Sequence, residues 1–172
     1  MTSHETRNDA AVVSVQLRGQ YDGALALFRI ALGSYWLYEQ HWKLPPDFGL
    51  HDARGLMFAF EQSIQYPTID VYRAFLQQVV VPHFHLFGWL LLLMEVAIGV
   101  SLVLGAWTNV GALLGVLQAA NLLVAQARTP EGPWIYLAIL VANLVVLMTA
   151  SNRRFSVDAK RRKDSRPGRL AP

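Results

Sequence analysis

The chain has 172 residues, 53% of them hydrophobic and only 16% charged, and it contains no cysteine. Soluble domains carry roughly a quarter charged residues, so this composition argues against an ordinary soluble domain. The missing thiols exclude a disulfide, a thiol relay, an Fe–S cluster or a Cys–zinc site on this chain, and the net charge of +3 is unevenly spread along it.

The first 21 residues are polar, and the apolar run Ala10–Val13 is too short for a signal-peptide core. They read as a short cytoplasmic segment that leads into a first membrane helix. That helix is expected over about 22–41, DGALALFRIALGSYWLYEQH, with Arg29 inside its apolar half. Tyr35, Trp36, Tyr38 and Trp42 crowd its far end, as in an interfacial aromatic belt. Glu39 precedes Lys43 by four residues, the spacing of a helical ion pair.

Pro45-Pro46 stops this helix and opens a long extracytoplasmic loop over 44–84. Residues 52–64 are expected to form one short helix in it. A second is expected after Thr68 as N-cap, with Asp70 in the first turn and Ile69, Tyr72, Leu76, Val79 and Val80 on one side. Pro82 is expected to end it, which makes it too short to span a bilayer.

The next helix, about 86–107, is a long apolar run with one carboxylate, Glu95, near its centre. About 20 apolar residues cross the roughly 30 Å hydrocarbon layer. A carboxylate there costs about 2.5–3.5 kcal/mol on insertion scales and needs a partner inside the protein. A third helix is read over about 110–127, with Gly111, Gly115 and Ala119 at small-residue spacing for close packing, within the chain rather than in a dimer. The fourth is read over about 133–150, with Pro133 at its start. Residues 152–172 form a basic tail.

The expected fold is thus an all-α integral membrane protein, a four-transmembrane-helix bundle over 22–151. Four spans put both termini on one side. Arg7, Arg18, Arg153, Arg154, Lys160, Arg161, Arg162, Lys163, Arg166 and Arg169 lie there, against Lys43, Arg54, Arg73 and Arg128 opposite. The positive-inside rule makes that side cytoplasmic, and the tail a topology anchor on anionic lipid rather than a nucleic-acid binder.

Counting from the cytoplasmic ends at about 1.5 Å per residue, Arg29 falls near 10 Å, Asn143 near 12 Å, Gln118 near 14 Å, Glu95 near 16 Å and Asn121 near 18 Å. All four helices therefore bring a polar group to one slab about 8 Å thick. Arg29 and Glu95 are the expected charge pair and the candidate catalytic groups. With Gln118, Asn121 and Asn143 they form a candidate polar pocket. Its simplest role is mutual neutralisation. Its functional role is to bind a quinone head group, whose carbonyls need donors and whose reduction needs a proton source. His41, His51, His83 and His85 all fall on the outer side, with His83-x-His85 a weak metal spacing. No metal site and no covalent haem is expected.

FRIALGSYW with Arg29 and Gly33, KLPP, MEVAIGVSLVLGAWTNVGALLG and NRRFSVDA follow one another in this setting. Over about residues 23–159 the chain resembles the DoxX/DoxD-like family of small four-helix membrane proteins, and its long loop is similar to the DoxD-like branch. That resemblance implies a bacterial or archaeal cytoplasmic membrane, a partner subunit and a role in a thiosulfate:quinone oxidoreductase. The chain departs from the family pattern at EQHW before Lys43 and at Arg-Phe-Ser in the exit motif. The expected function is the membrane subunit of a quinone-linked oxidoreductase. The alternative is a non-catalytic scaffold or accessory subunit of a larger membrane complex, with a homo-oligomer also open. A small transporter is disfavoured, because no broken helix pair is visible.

Overall fold

The computed structural model describes residues 3–149, with side chains from residue 20 onward. The basic tail and its NRRFSVDA motif lie outside the described residues. The described residues form helices and no strand. They are α1 (Ser3–Tyr38), α2 (Leu56–Gln65), α3 (Asp70–Phe75), α4 (Phe84–Leu104), α5 (Thr108–Gln126) and α6 (Trp134–Met148).

The expected helices are present, with shifted ends. The first starts far earlier, at Ser3, and stops at Tyr38 rather than His41. The largest correction concerns Pro82. A proline lacks the N–H of an α-helical turn and its ring crowds the carbonyl four residues back. The chain does not stop there. A wide π turn over Leu76–Val80 and a 3-10 turn over Val81–His83 absorb the misfit, and the helical path runs on from α3 into α4. Nor does Thr68 cap α3: Ile69 holds the N-cap position and makes no side-chain cap bond.

Two stretches are long and apolar enough to cross a membrane, Asp70–Leu104 and Thr108–Gln126. Only 33% and 39% of their apolar windows are buried, so most of that surface faces outward. Leu86, Leu90, Leu93, Val110 and Leu117 are all more than half exposed. α6 is equally apolar but has 15 residues, and α1 is not among the candidate spans.

α1 packs chiefly on α4, α5 on α6, and α4 joins the pairs through α5. Glycines set the closest approaches. A Cβ on Gly33 would lie 2.8 Å from the Gly99 carbonyl oxygen and the Val103 nitrogen. Gly111 faces Ser101 and Gly115 faces Asn143, so the small-residue stripe of α5 is spent on contacts within the chain. The core between these helices is built on Trp36, Ile98, Leu102, Ala112, Ala119 and Val146.

A second cluster, of Phe48, Leu56, Phe84 and Leu92, holds the loop after α1 down on α4. The Phe48 ring occupies the space over Gly88, where a Cβ would come within 2.7 Å of it, and meets Trp89 edge-on at 5.4 Å. Phe48 and Gly49 take positive φ values of 53° and 69°, turning the chain so that Leu56 donates its N–H to the Phe48 carbonyl. This anchorage carries α2 across the end of the bundle remote from the start of α1.

Candidate functional site around Glu95

After Tyr38 the backbone tightens into three-residue turns. Gln40 donates to the Leu37 carbonyl, His41 to Tyr38 and Lys43 to Gln40. Leaving the α-helical period changes which side chains point inward: Gln40 and Lys43 are buried and His41 is exposed.

Glu95 is 1% exposed and has three partners, two from the turn after α1 and one from α5. Its Oε2 accepts from Gln40 Nε2 at 2.7 Å and forms an ion pair with Lys43 Nζ. Its Oε1 accepts from Gln118 Nε2 at 2.9 Å. Gln40 Nε2 also donates to the Trp36 carbonyl at 3.0 Å, which locks the amide in place. The Lys43 ammonium lies 4.8 Å from the Trp42 ring centre. A buried carboxylate is stable only when a cation and hydrogen bonds replace the lost water, and all are present here.

The expected pairing of Arg29 with Glu95 is therefore overturned. Gly33 lies level with Gly99 and Val103, while Gln40 lies level with Glu95. α1 and α4 are antiparallel, so Arg29 sits beyond Gly33 on the side away from Glu95. Eleven residues separate it from Gln40, about 16 Å of helix at roughly 1.5 Å each. Arg29 is fully buried, but not at this site. The expected Glu39–Lys43 ion pair gives way too: Lys43 turns to Glu95, and Glu39 accepts from Trp42 Nε1 at 3.3 Å.

Glu95 opens onto a cavity of about 80 Å³. Gln118 and Asn121, both expected in the site, share its wall with Lys43, Tyr35, Trp36 and Tyr72. Asn121 accepts from the Tyr72 hydroxyl at 3.1 Å. Ser63 and Gln126 close another side, joined at 3.3 Å, and tie α2 to α5. Asn143 is not in the wall. It donates to the Ile139 carbonyl of its own helix at 2.8 Å and packs on Gly115.

Several lining residues carried a different expectation from sequence. Tyr35, Trp36 and Trp42 were read as interfacial aromatics, yet all three line this cavity, together with Tyr136. Trp36 is 2% exposed, and its indole Nε1 is buried without a hydrogen-bond partner. Lys43 and Gln40 were hidden because they follow the last helical turn, where helical counting no longer applies. The signal available was the pair Gln40 and Lys43, two long polar side chains just before a double proline.

A wider cleft of about 670 Å³ lies beside the cavity. Glu39, Trp42, Ala59, Gln126 and Tyr136 belong to the walls of both. His41, Arg54 and Glu131 line the cleft alone. The histidines do not gather: His41 and His83 each contact a backbone carbonyl one turn back, and His85 stacks edge-on with Phe48 and Phe84. Among the described residues no group of three metal-ligating side chains forms.

No protein-family model matches the chain, and no curated protein or solved structure matches it either.

Proposed function

We propose that the chain is a four-span integral membrane protein with cytoplasmic termini, the membrane subunit of a quinone-linked oxidoreductase. The cavity at Glu95 is its head-group site. The observation that carries this reading is the cavity itself: a buried, fully partnered carboxylate and an unpartnered indole N–H line one aromatic-walled space. Buried donors without partners are rare in folded proteins, and one in a cavity wall suits a ligand acceptor such as a quinone carbonyl.

Two exposed apolar stretches support the membrane placement. A helix in the core of a soluble domain would be mostly buried. α1 and α6 complete four spans, with Arg29 tolerated because it is buried inside the bundle. The Lys/Arg bias then puts the loop 44–84 and the Glu95 cavity toward the extracytoplasmic face.

Reduction of a quinone to its quinol consumes two electrons and two protons. Electrons come from a redox partner subunit, of the thiosulfate:quinone type that the family resemblance implies. This chain's residues serve the head group. Trp36 Nε1 donates to one carbonyl, aromatic rings wall the head group, and the Lys43–Glu95 pair holds protons beside it. Arg29 and Asn143 lie outside this role.

The test is quinone content. Protein purified in mild detergent is extracted and its quinone measured by mass spectrometry against protein. About one quinone per chain is expected, and at least tenfold less in Trp36→Phe or Glu95→Gln at equal folded yield. A wild-type protein with no quinone but a stoichiometric protein partner overturns the reading in favour of an accessory subunit.

A further inference from the structure

We propose that the cleft is an aqueous, cation-selective entrance to the Glu95 cavity, with Glu39 as the carboxylate at its gate. Protons and small cationic or neutral molecules reach Glu95 from the extracytoplasmic side by this route. The proposal rests on the membrane placement argued above, but not on the quinone.

The walls of the two spaces carry the argument. The cleft and the cavity have five wall residues in common, so they adjoin rather than lie apart. The larger space, about 670 Å³, has charged and polar side chains among its wall residues and is roomy enough for many waters. The smaller one, about 80 Å³, holds several, since one water needs about 10–15 Å³ measured in this way.

Glu39 is placed between them. It follows Tyr35, which lines the inner cavity, by one helical turn, and its carboxylate accepts from Trp42 Nε1 at 3.3 Å. Trp42 in turn lies under the Lys43 ammonium that pairs with Glu95. Glu39 thus touches both the water side and the groups that surround Glu95.

The charges around the gate set its preference. Glu39 and Glu131 face the cleft against a single guanidinium, Arg54, with His41 at the rim and Tyr35 and Tyr136 beside the gate. Inside, Glu95 and Lys43 neutralise each other, and Tyr72, with Tyr35 and Tyr136, completes the titratable groups of the wall beyond Glu39. Two carboxylates against one cation in a low-dielectric funnel raise the local concentration of cations and lower that of anions. A proton crossing this gate is accounted for simply. Hydronium in the cleft protonates Glu39 and becomes water. Glu39 then passes that proton through cavity water toward Glu95 and returns to its carboxylate form.

The chain has no cysteine, so a single introduced thiol is read without background. Full-length Ser63→Cys is placed in sealed lipid vesicles of known orientation. Ser63 is 3% exposed and belongs to the inner cavity wall. Ala59→Cys, at the shared wall, is the reference. Two membrane-impermeant methanethiosulfonates are used, one ending in trimethylammonium and one in sulfonate, and labelling is followed by mass shift.

The thiol at 63 is expected to react at least tenfold faster from the extracytoplasmic side than from the cytoplasmic side. The cationic reagent is expected to outrun the anionic one at least tenfold, after correction for their rates with a free thiol. Glu39→Gln should reduce that ratio at least threefold, while Glu39→Asp should keep it. Both variants are compared at equal labelling of the Ala59→Cys reference, which separates a changed gate from a misfolded one. Equal labelling from the two sides, or a charge preference unchanged in Glu39→Gln, overturns the proposal. Absence of bound quinone leaves this outcome untouched, so the two readings fail separately.

Discussion

Two buried polar regions share this bundle, and they are built on opposite plans. Around Glu95 the polar atoms converge from the turn after α1, from α4 and from α5, and they border empty space. Toward the start of α1, Arg29 and Asn143 are equally buried, but they line neither the cavity nor the cleft, and Asn143 packs on Gly115. Asn143 turns back to its own helix at Ile139. Burial alone therefore does not mark a site. Convergence of donors from different elements, next to a cavity, does.

The largest effect is expected at Glu95. Glu95→Ala leaves the Lys43 ammonium buried without its carboxylate, the case that typically costs about 3–5 kcal/mol. Thermal unfolding in detergent should show the largest loss of any variant described. The double variant Lys43→Met, Glu95→Leu removes both charges together, and it should recover most of that loss. If the double variant is as unstable as Glu95→Ala, the ion pair is not what holds this end.

The packed end should respond differently. At Gly33 a methyl group would come within 2.8 Å of two backbone atoms of α4. Backbone cannot move aside as a flexible side chain does, so α1 and α4 must separate. Gly33→Ala is expected to cost about 1–3 kcal/mol. It should leave quinone content per folded chain unchanged, because neither Gly33 nor its α4 contacts Gly99, Leu102 and Val103 line the cavity, which begins about one turn away. A variant that keeps its melting temperature but loses quinone would show that the two regions are coupled.

The sequence carried the helices well and the site unevenly, and the reasons are physical. Apolar length and glycine spacing are properties of single segments, so α4, α5 and the close-packed stripe of α5 were legible. Depth in a bilayer is also a one-dimensional quantity, and it put Glu95, Gln118 and Asn121 together correctly. It failed for Arg29 because the counted depths rested on assumed helix ends: Arg29 lies about 16 Å along the helix from Gln40 rather than level with Glu95. Asn143 is buried one turn beyond the wall residue Ile139. Arg29 shows a second failure: a charge pair chosen by sign alone ignored Lys43, which lies past the last helical turn. Pro82 was misread for a related reason. Its cost is local, and a π turn followed by a 3-10 turn meets it without ending the helix.

The smallest expected effect sharpens the contrast most. Asn143 is fully buried, and among the described residues its Oδ1 accepts no hydrogen bond. An unpartnered buried polar atom costs about 1–3 kcal/mol, while the single bond to Ile139 contributes about 1 kcal/mol. Leucine has a similar shape and neither term. Asn143→Leu should therefore leave stability unchanged or raise it by up to about 2 kcal/mol. Quinone content and labelling at residue 63 should match the parent chain. The same exchange at Gln118, whose Nε2 donates to Glu95 Oε1, removes one of the carboxylate's three partners and should lower both stability and quinone content. If Asn143→Leu instead emptied the site while the protein stayed folded, Asn143 and the Glu95 cluster would act as one pocket. The division between a packed end and a working end would then be wrong.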